Sequence, residues 1–304
     1  MNTTSNAHPN RTSLIAAFAT VYVVWGSTYL AIRVAVETMP PFLMAGARFL
    51  VAGLMMFAWL RLKGVAMPDK QQWRHAAFAG VLMLFGGNGL VVWAEQSVSS
   101  SLAALLVALT PVWFALLDWS RPTGKRPALY TFVGIMVGFA GVALLVSGRE
   151  MSGVAASQNP WGVAALVMAG LAWAAGSLWS RYHAKPESPW MNSSLQMICG
   201  GIALLALSFW RDEPAHFQLA QVSTPSWLSL LYLVVFGSWI AFSAYVWLLK
   251  VSTPARVATY AYVNPVIAVL LGHLMLNEPF GGRTVWAAAI ILAGVVITTL
   301  PKRQ

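Results

Sequence analysis

Ten apolar stretches, each close to the length that crosses hydrocarbon, follow one another along this chain with only short polar interruptions. They run over 13–34, 42–61, 74–95, 101–118, 128–147, 160–180, 190–210, 226–248, 255–275 and 283–300. A helix needs about 20 apolar residues to cross a bilayer core. A water-soluble bundle needs a polar face on every helix, and a run such as Leu102–Leu117 offers none. The expected architecture is an all-α polytopic membrane protein of ten transmembrane helices.

Charge agrees with this reading. Only 9% of the residues are charged, against roughly 25% in a soluble domain. The net charge of +10 is gathered in loops between apolar runs, which points to the positive-inside rule rather than to nucleic acid. With a cytoplasmic tail over 1–12, one side collects Arg11, Arg61, Lys63, Lys70, Arg74, Arg121, Lys125, Arg126, Arg181, Lys185, Lys250, Arg256, Lys302 and Arg303. The other side keeps Arg149, Arg211 and Arg283 beside Glu37, Glu95, Glu150, Asp212, Glu213 and Glu278, with Arg33 near the first boundary. Both termini are therefore expected in the cytoplasm. The first apolar run lacks a short core followed by a small-residue cleavage site and is expected to remain as a helix. The single cysteine, Cys199, excludes an internal disulfide framework and a cysteine-built metal site.

The chain reads as one unit written twice. Trp73, Trp93 and Pro111 recur as Trp227, Trp247 and Pro265, each 154 positions later, and Pro41, Arg48 and Gly53 match Pro189, Gln196 and Gly201 at an offset of 148. The halves are 13–147 and 160–300, with five crossings each. An odd number of crossings makes the second half enter from the opposite side, so the repeat is inverted. Such repeats suit transporters that alternate between two near-equivalent states.

Several motifs resemble a known family. They are Trp25-Gly-Ser-Thr-Tyr29, Phe85-Gly-Gly-Asn-Gly-Leu90, Ala103-Ala-Leu-Leu106 leading to Pro111-Val112, and Arg256-Val-Ala-Thr-Tyr-Ala-Tyr-Val-Asn-Pro265 followed by Asn277-Glu-Pro279. Together they resemble the EamA-type drug/metabolite transporter superfamily, and Trp93-Ala-Glu-Gln96 is similar to its YedA-like branch. The resemblance spans 13–300 and implies ten helices, an inverted repeat, a bacterial inner membrane and export of metabolites. It does not fix the solute.

Polar groups inside spans are expensive unless they face protein or water, which makes them the candidates for function. Arg48 lies about 10 Å along its helix from Pro41. It either meets an anionic group such as a carboxylate in a central cavity or snorkels to the outer interface. Gln196 holds the matching place in the other half. Asn88 and Glu95, seven apart, share one face of the third span. Asn88 is a cavity or interhelical hydrogen-bonding residue, and Glu95 is either a proton-coupling carboxylate or a solvated residue at the outer mouth. Tyr260 and Asn264 share a face and, with Trp25, Trp173 and Trp239, are candidates for an amphipathic wall. Pro111 and Pro265 fall mid-span in the fourth and ninth segments, as hinges or fixed kinks. Trp59, Trp73, Trp161, Trp190 and Trp227 fall near span ends, where interfacial belts form. Gly134, Gly138 and Gly141 form a small-residue stripe for close packing within the bundle or across a dimer.

No Walker pattern supplies ATP drive, and His273 with Glu278 lacks the further ligands a metal needs. No cofactor, metal or nucleic-acid partner is expected; the partners are a small-molecule substrate and the lipid bilayer, as a monomer or homodimer. The expected function is secondary transport: export of small organic metabolites, amino acids or related amphipathic compounds. A channel-like permease and an integral-membrane enzyme are the alternatives. Five scattered histidines and one cysteine speak against the enzyme.

Overall fold

The computed structural model describes residues 10–94, 96, 103, 106–124, 126–146, 160–276 and 282–299. The described residues are helical and include no strand. The principal helices are α1 (Arg11–Val36), α2 (Pro41–Leu62), α3 (Lys70–Ala94), α4 (Thr110–Trp119), α5 (Leu129–Val146), α6 (Pro160–Tyr182), α7 (Pro189–Trp210), α8 (Thr224–Val251), α9 (Tyr260–Leu276) and α10 (Gly282–Thr299). Among the described residues six of these, α1, α2, α3, α6, α7 and α8, are long and apolar enough to cross a membrane. Shorter apolar helices run over Leu129–Gly141 and Val285–Ile297.

Local chemistry sets the starts. Proline at the first helical position begins α2, α6 and α7, where a missing N–H costs nothing. At α3 the Asp69 carboxylate accepts from the Gln72 backbone N–H at 2.8 Å, and the Gln72 side chain accepts from Asp69 N at 3.1 Å. This reciprocal cap starts the helix four residues ahead of the expected 74.

Two helices depart from α geometry. Val81–Gly89 of α3 and Leu233–Phe242 of α8 are π-helical. The fourth segment is interrupted: a turn at Ala108–Leu109 precedes α4, so Pro111 stands in the first helical turn rather than inside a continuous span. Pro265 does lie inside α9, and the break there falls earlier, at Ala258–Thr259, after the single turn Pro254–Val257.

Helix α2 packs most extensively on α7, and α5 on α10. α1 packs against α8 and α9, while α6 packs against α3 and α4. Small residues bring the main contacts close. A Cβ on Gly294 would meet the Gly138 nitrogen at 2.5 Å, so the glycine stripe of α5 is spent on α10 within the bundle. At the α3–α7 crossing, a Cβ on Gly80 would stand 2.3 Å from the Gln196 carbonyl oxygen.

The bundle has two chemically different ends. At one, Arg181 donates to the carbonyls of Leu249 and Ser252, Lys250 reaches Glu187 O at 3.2 Å, and Tyr182 donates to Asp118 at 2.9 Å. At the other, the Glu213 carboxylate accepts from the N–H groups of Phe42 (3.3 Å) and Leu43 (2.8 Å) and from the Ser208 hydroxyl (2.8 Å). Glu213 thereby caps the free N–H groups at the start of α2. Trp59, Trp161, Trp190 and Trp227 are exposed, as expected of belt residues.

Candidate functional site

A cavity of about 90 Å³ lies among α1, α2, α3, α6, α8 and α9, with Val107 and Thr110 of the fourth segment completing its wall. Six of the expected residues line it: Trp25, Arg48, Asn88, Trp173, Tyr260 and Asn264.

Arg48 is the dominant charge. It is 4% exposed, and its Nε donates to the Ser238 hydroxyl at 2.7 Å. Its guanidinium lies 4.7 Å from the Phe49 ring centroid. It makes no ion pair among the described residues. An unpaired charge at such depth costs about 3 kcal/mol or more. The terminal nitrogens, on the cavity wall, remain available to an anion; a guanidinium offers a carboxylate two parallel N–H donors.

The walls are aromatic and amide. Trp25 donates its indole N–H to the Gly237 carbonyl at 3.1 Å, tying α1 to the π-helical part of α8. Trp25 also stands edge-on to Trp173 (centroids 5.4 Å, 82°) and Tyr260 (5.0 Å, 80°). The Asn88 side-chain oxygen is buried without a hydrogen-bond partner. It is an acceptor left over on the cavity wall. Asn264, with its amide nitrogen turned toward them, donates to the carbonyls of Tyr260 (3.0 Å) and Tyr22 (3.2 Å). It thus stitches α9 to α1 one residue before Pro265.

Beneath the cavity, toward the basic end, the bundle is sealed. Tyr245 is fully buried. Its hydroxyl accepts from the Trp173 indole N–H at 2.9 Å and shares a 2.6 Å hydrogen bond with Ser177. The Tyr245 ring lies 4.9 Å from Trp25 and 5.6 Å from Tyr260. Nearby, the hydroxyls of Tyr22 and Thr259 meet at 2.5 Å. Ile32 and Val91, further along α1 and α3, line the cavity on the side away from this seal.

Two expected residues are elsewhere. Gln196 does not line the cavity: it is fully buried, donates to Ser180 Oγ at 2.7 Å, and lies where α3 crosses α7. The close approach of Gly80 covers it. Trp239 is half-buried against Trp59 (centroids 6.5 Å), because its place on α8 turns it away from Gly237 and Phe242, which line the cavity. Glu95, the coupling candidate, lies outside the described residues, as do the side chains of His273 and Glu278. Sequence reasoning missed Tyr245, Ser177 and Ser238. A Trp173/Ser177 pair one turn apart and a lone Ser238 in an apolar run were the available signals.

Apolar helices of membrane length around a deep polar-aromatic cavity define a multi-pass membrane protein. The chain belongs to the EamA-like transporter family, which it matches over residues 12–147 and again over 160–300. It is 38% identical over 290 residues to the uncharacterized inner membrane transporter YedA of Escherichia coli (strain K12), covering 95% of this chain and 91% of that one. It is 25% identical to the uncharacterized transporter YvbV of Bacillus subtilis (strain 168), over 97% of this chain and 93% of that one. The WAT1-related protein At3g02690, chloroplastic, of Arabidopsis thaliana is 25% identical over 92% of this chain and 68% of its own length. A solved crystal structure shares the fold at a TM-score of 0.74 and 21% identity, covering 96% of this chain and 99% of the other.

Proposed function

We propose that this transporter exports small organic metabolites across the bacterial inner membrane by alternating access. Ten crossings form two inverted repeats, 13–147 and 160–300, with both termini in the cytoplasm. The observation that carries the reading is Arg48: a buried guanidinium without a carboxylate partner among the described residues, set in an aromatic cavity. A solute bearing one anionic group and an apolar body, such as an amino acid or related amphipathic compound, fits those surroundings. Its anion pairs with Arg48, a donor group meets the Asn88 oxygen, and its apolar part lies against Trp25, Trp173 and Tyr260.

Three relationships support the repeat and the mechanism. The π-helical stretches recur in register: Val81–Gly89 displaced by the 154-residue offset overlaps Leu233–Phe242. The packing of α1 on α8 and α9 mirrors that of α6 on α3 and α4. Arg48 and Gln196, equivalent by the 148-residue offset, have unequal surroundings, one on the cavity and the other covered by α3. Two copies of one unit held in different conformations are what alternating access requires; exchanging the two conformations exchanges the open side. With the basic end cytoplasmic, the Trp25–Trp173–Tyr245–Tyr260 cluster is the closed inner gate of an outward-directed state.

The test is a screen of secreted metabolites in cells overproducing the chain, followed by flux of the identified solute in proteoliposomes. Transport should saturate and show counterflow, which separates a carrier from a channel. Arg48→Gln should abolish it and Asn88→Ala should raise KM. Unchanged flux in both variants overturns the site, and no differential export overturns the exporter reading.

A further inference from the structure

A second recess lies outside the cavity, on the surface of the bundle between α3 and α6. It is a groove of about 900 Å³ lined by Lys70, Gln71, Arg74, His75, Ala77, Phe78, Val81 and Trp179. Its chemistry changes along its length. Lys70 and Arg74, one turn apart and exposed, stand at the end where Asp69 caps α3. Neither makes an ion pair among the described residues. One turn beyond Arg74 the same stripe becomes apolar, with Phe78 47% and Val81 37% exposed. The opposite wall is aromatic: Trp179 packs on Phe78 with centroids 4.4 Å apart, and His183 stacks on Trp179 at 3.6 Å. From Lys70 to Val81 the helix rises roughly 16 Å. That length carries the groove from an interfacial depth into the hydrocarbon.

We infer that this groove binds one anionic phospholipid, with its phosphate between Lys70 and Arg74 and an acyl chain along Phe78, Val81 and Trp179. The match is one of charge and depth together. A zwitterionic lipid brings its own cation and gains less from two lysine- and arginine-borne charges, and a soluble anion leaves the apolar floor uncovered. Basic recesses between membrane helices recognise lipid headgroups by this combination. Because α3 also carries Asn88 and the π-helical stretch, an occupied groove braces the helix that supplies one wall of the cavity.

The experiment is native mass spectrometry of the intact chain in non-ionic detergent. It titrates palmitoyl-oleoyl phosphatidylglycerol against the phosphatidylethanolamine with the same chains. The wild type should hold one phosphatidylglycerol in preference, by about fivefold for each of the two cations. Lys70→Gln with Arg74→Gln should erase the preference. Arg61→Gln with Lys63→Gln, which removes equal charge from a neighbouring loop, should leave it intact. Phe78→Ala should weaken both lipids equally. Circular dichroism verifies folding of each variant. Equal retention of the two lipids by the wild type overturns the inference. So does equal loss in the Arg61/Lys63 variant, which marks a diffuse charge effect, or full competition by glycerol phosphate, which marks a simple anion site. None of these outcomes depends on the transported solute.

Discussion

The Arg48 guanidinium occupies the space beside Gly237 that any other residue would fill: a Cβ there would lie 2.8 Å from Nη2. One residue on, Ser238 accepts from Nε at 2.7 Å. The π-helical segment of α8 thus supplies both the room and the anchor for the charge of α2. Gly237→Ala should displace the guanidinium, the movable end of a long side chain, without unfolding the bundle. Transport should fall about tenfold or more with thermal stability within ~1 kcal/mol of the parent, measured by flux and by detergent-phase melting on the same preparation.

Tyr245 binds α8 to α6 through one hydroxyl. Tyr245→Phe keeps the ring contacts and deletes the acceptor of the Trp173 indole N–H. A buried donor left without a partner costs about 1–3 kcal/mol. Ser177 keeps its bond to the Trp173 carbonyl, so the loss should concentrate on Trp173. A lower melting temperature together with a changed tryptophan emission is expected; an unaltered melt removes Tyr245 from the seal.

Much of the architecture was legible because lipid imposes a simple rule: spans must be long, apolar and helical. The starts of α2, α6 and α7 fall within one residue of the expected 42, 160 and 190, and the cavity residues Trp25, Arg48, Asn88, Trp173, Tyr260 and Asn264 followed from polar or amphipathic character at depth. Three features were not legible. π-helical winding leaves no mark in an apolar run whose residues all tolerate burial. The early start of α3 hung on Asp69 and Gln72, outside the apolar window. Gln196 inherited its expected position from Arg48 by repeat register, but register cannot report that α3 comes within contact of Gln196 at Gly80 and covers it.

Gly80→Ala tests the α3–α7 crossing. The added methyl would meet backbone, the Gln196 carbonyl at 2.3 Å, so neither helix can yield by turning a side chain. A loss of about 3 kcal/mol or more is expected, as for overpacking in a core. It would be read as poor yield of monodisperse protein in detergent. Normal yield and an unchanged melt would mean the helices slide apart freely.

Glu213 caps a helix far from it in sequence. Glu213→Ala should cost about 1 kcal/mol, while Glu213→Gln keeps an acceptor and should recover part of it. Hydrogen exchange at the Phe42 and Leu43 amides is the sensitive readout: both should exchange faster in the alanine variant.

The basic end carries a pH signature. Burial, then the nearby Arg181 and Lys250, hold the Lys185 ammonium below the usual lysine value of 10.5. Between its lowered value and 10.5 the unfolded chain binds more proton than the folded one. Stability from this group therefore rises as pH increases through that interval and levels off above it. Lys185→Gln should flatten that rise in melts taken from neutral to alkaline pH; an identical slope in the variant assigns it to another group.

The paired π-helical stretches give this fold an unusual way to change what it carries. Removing a single residue from Val81–Gly89 would return that stretch to α winding. Side chains within the stretch would be re-spaced around the axis, while those beyond it would keep their faces, because a π turn holds about one residue more than an α turn. Such a change would re-aim Asn88, inside the stretch, while Val91 beyond it keeps its place on the cavity wall. The same edit is available on the opposite wall of the cavity, in Leu233–Phe242. The wall of this cavity is therefore open to revision by length as well as by substitution.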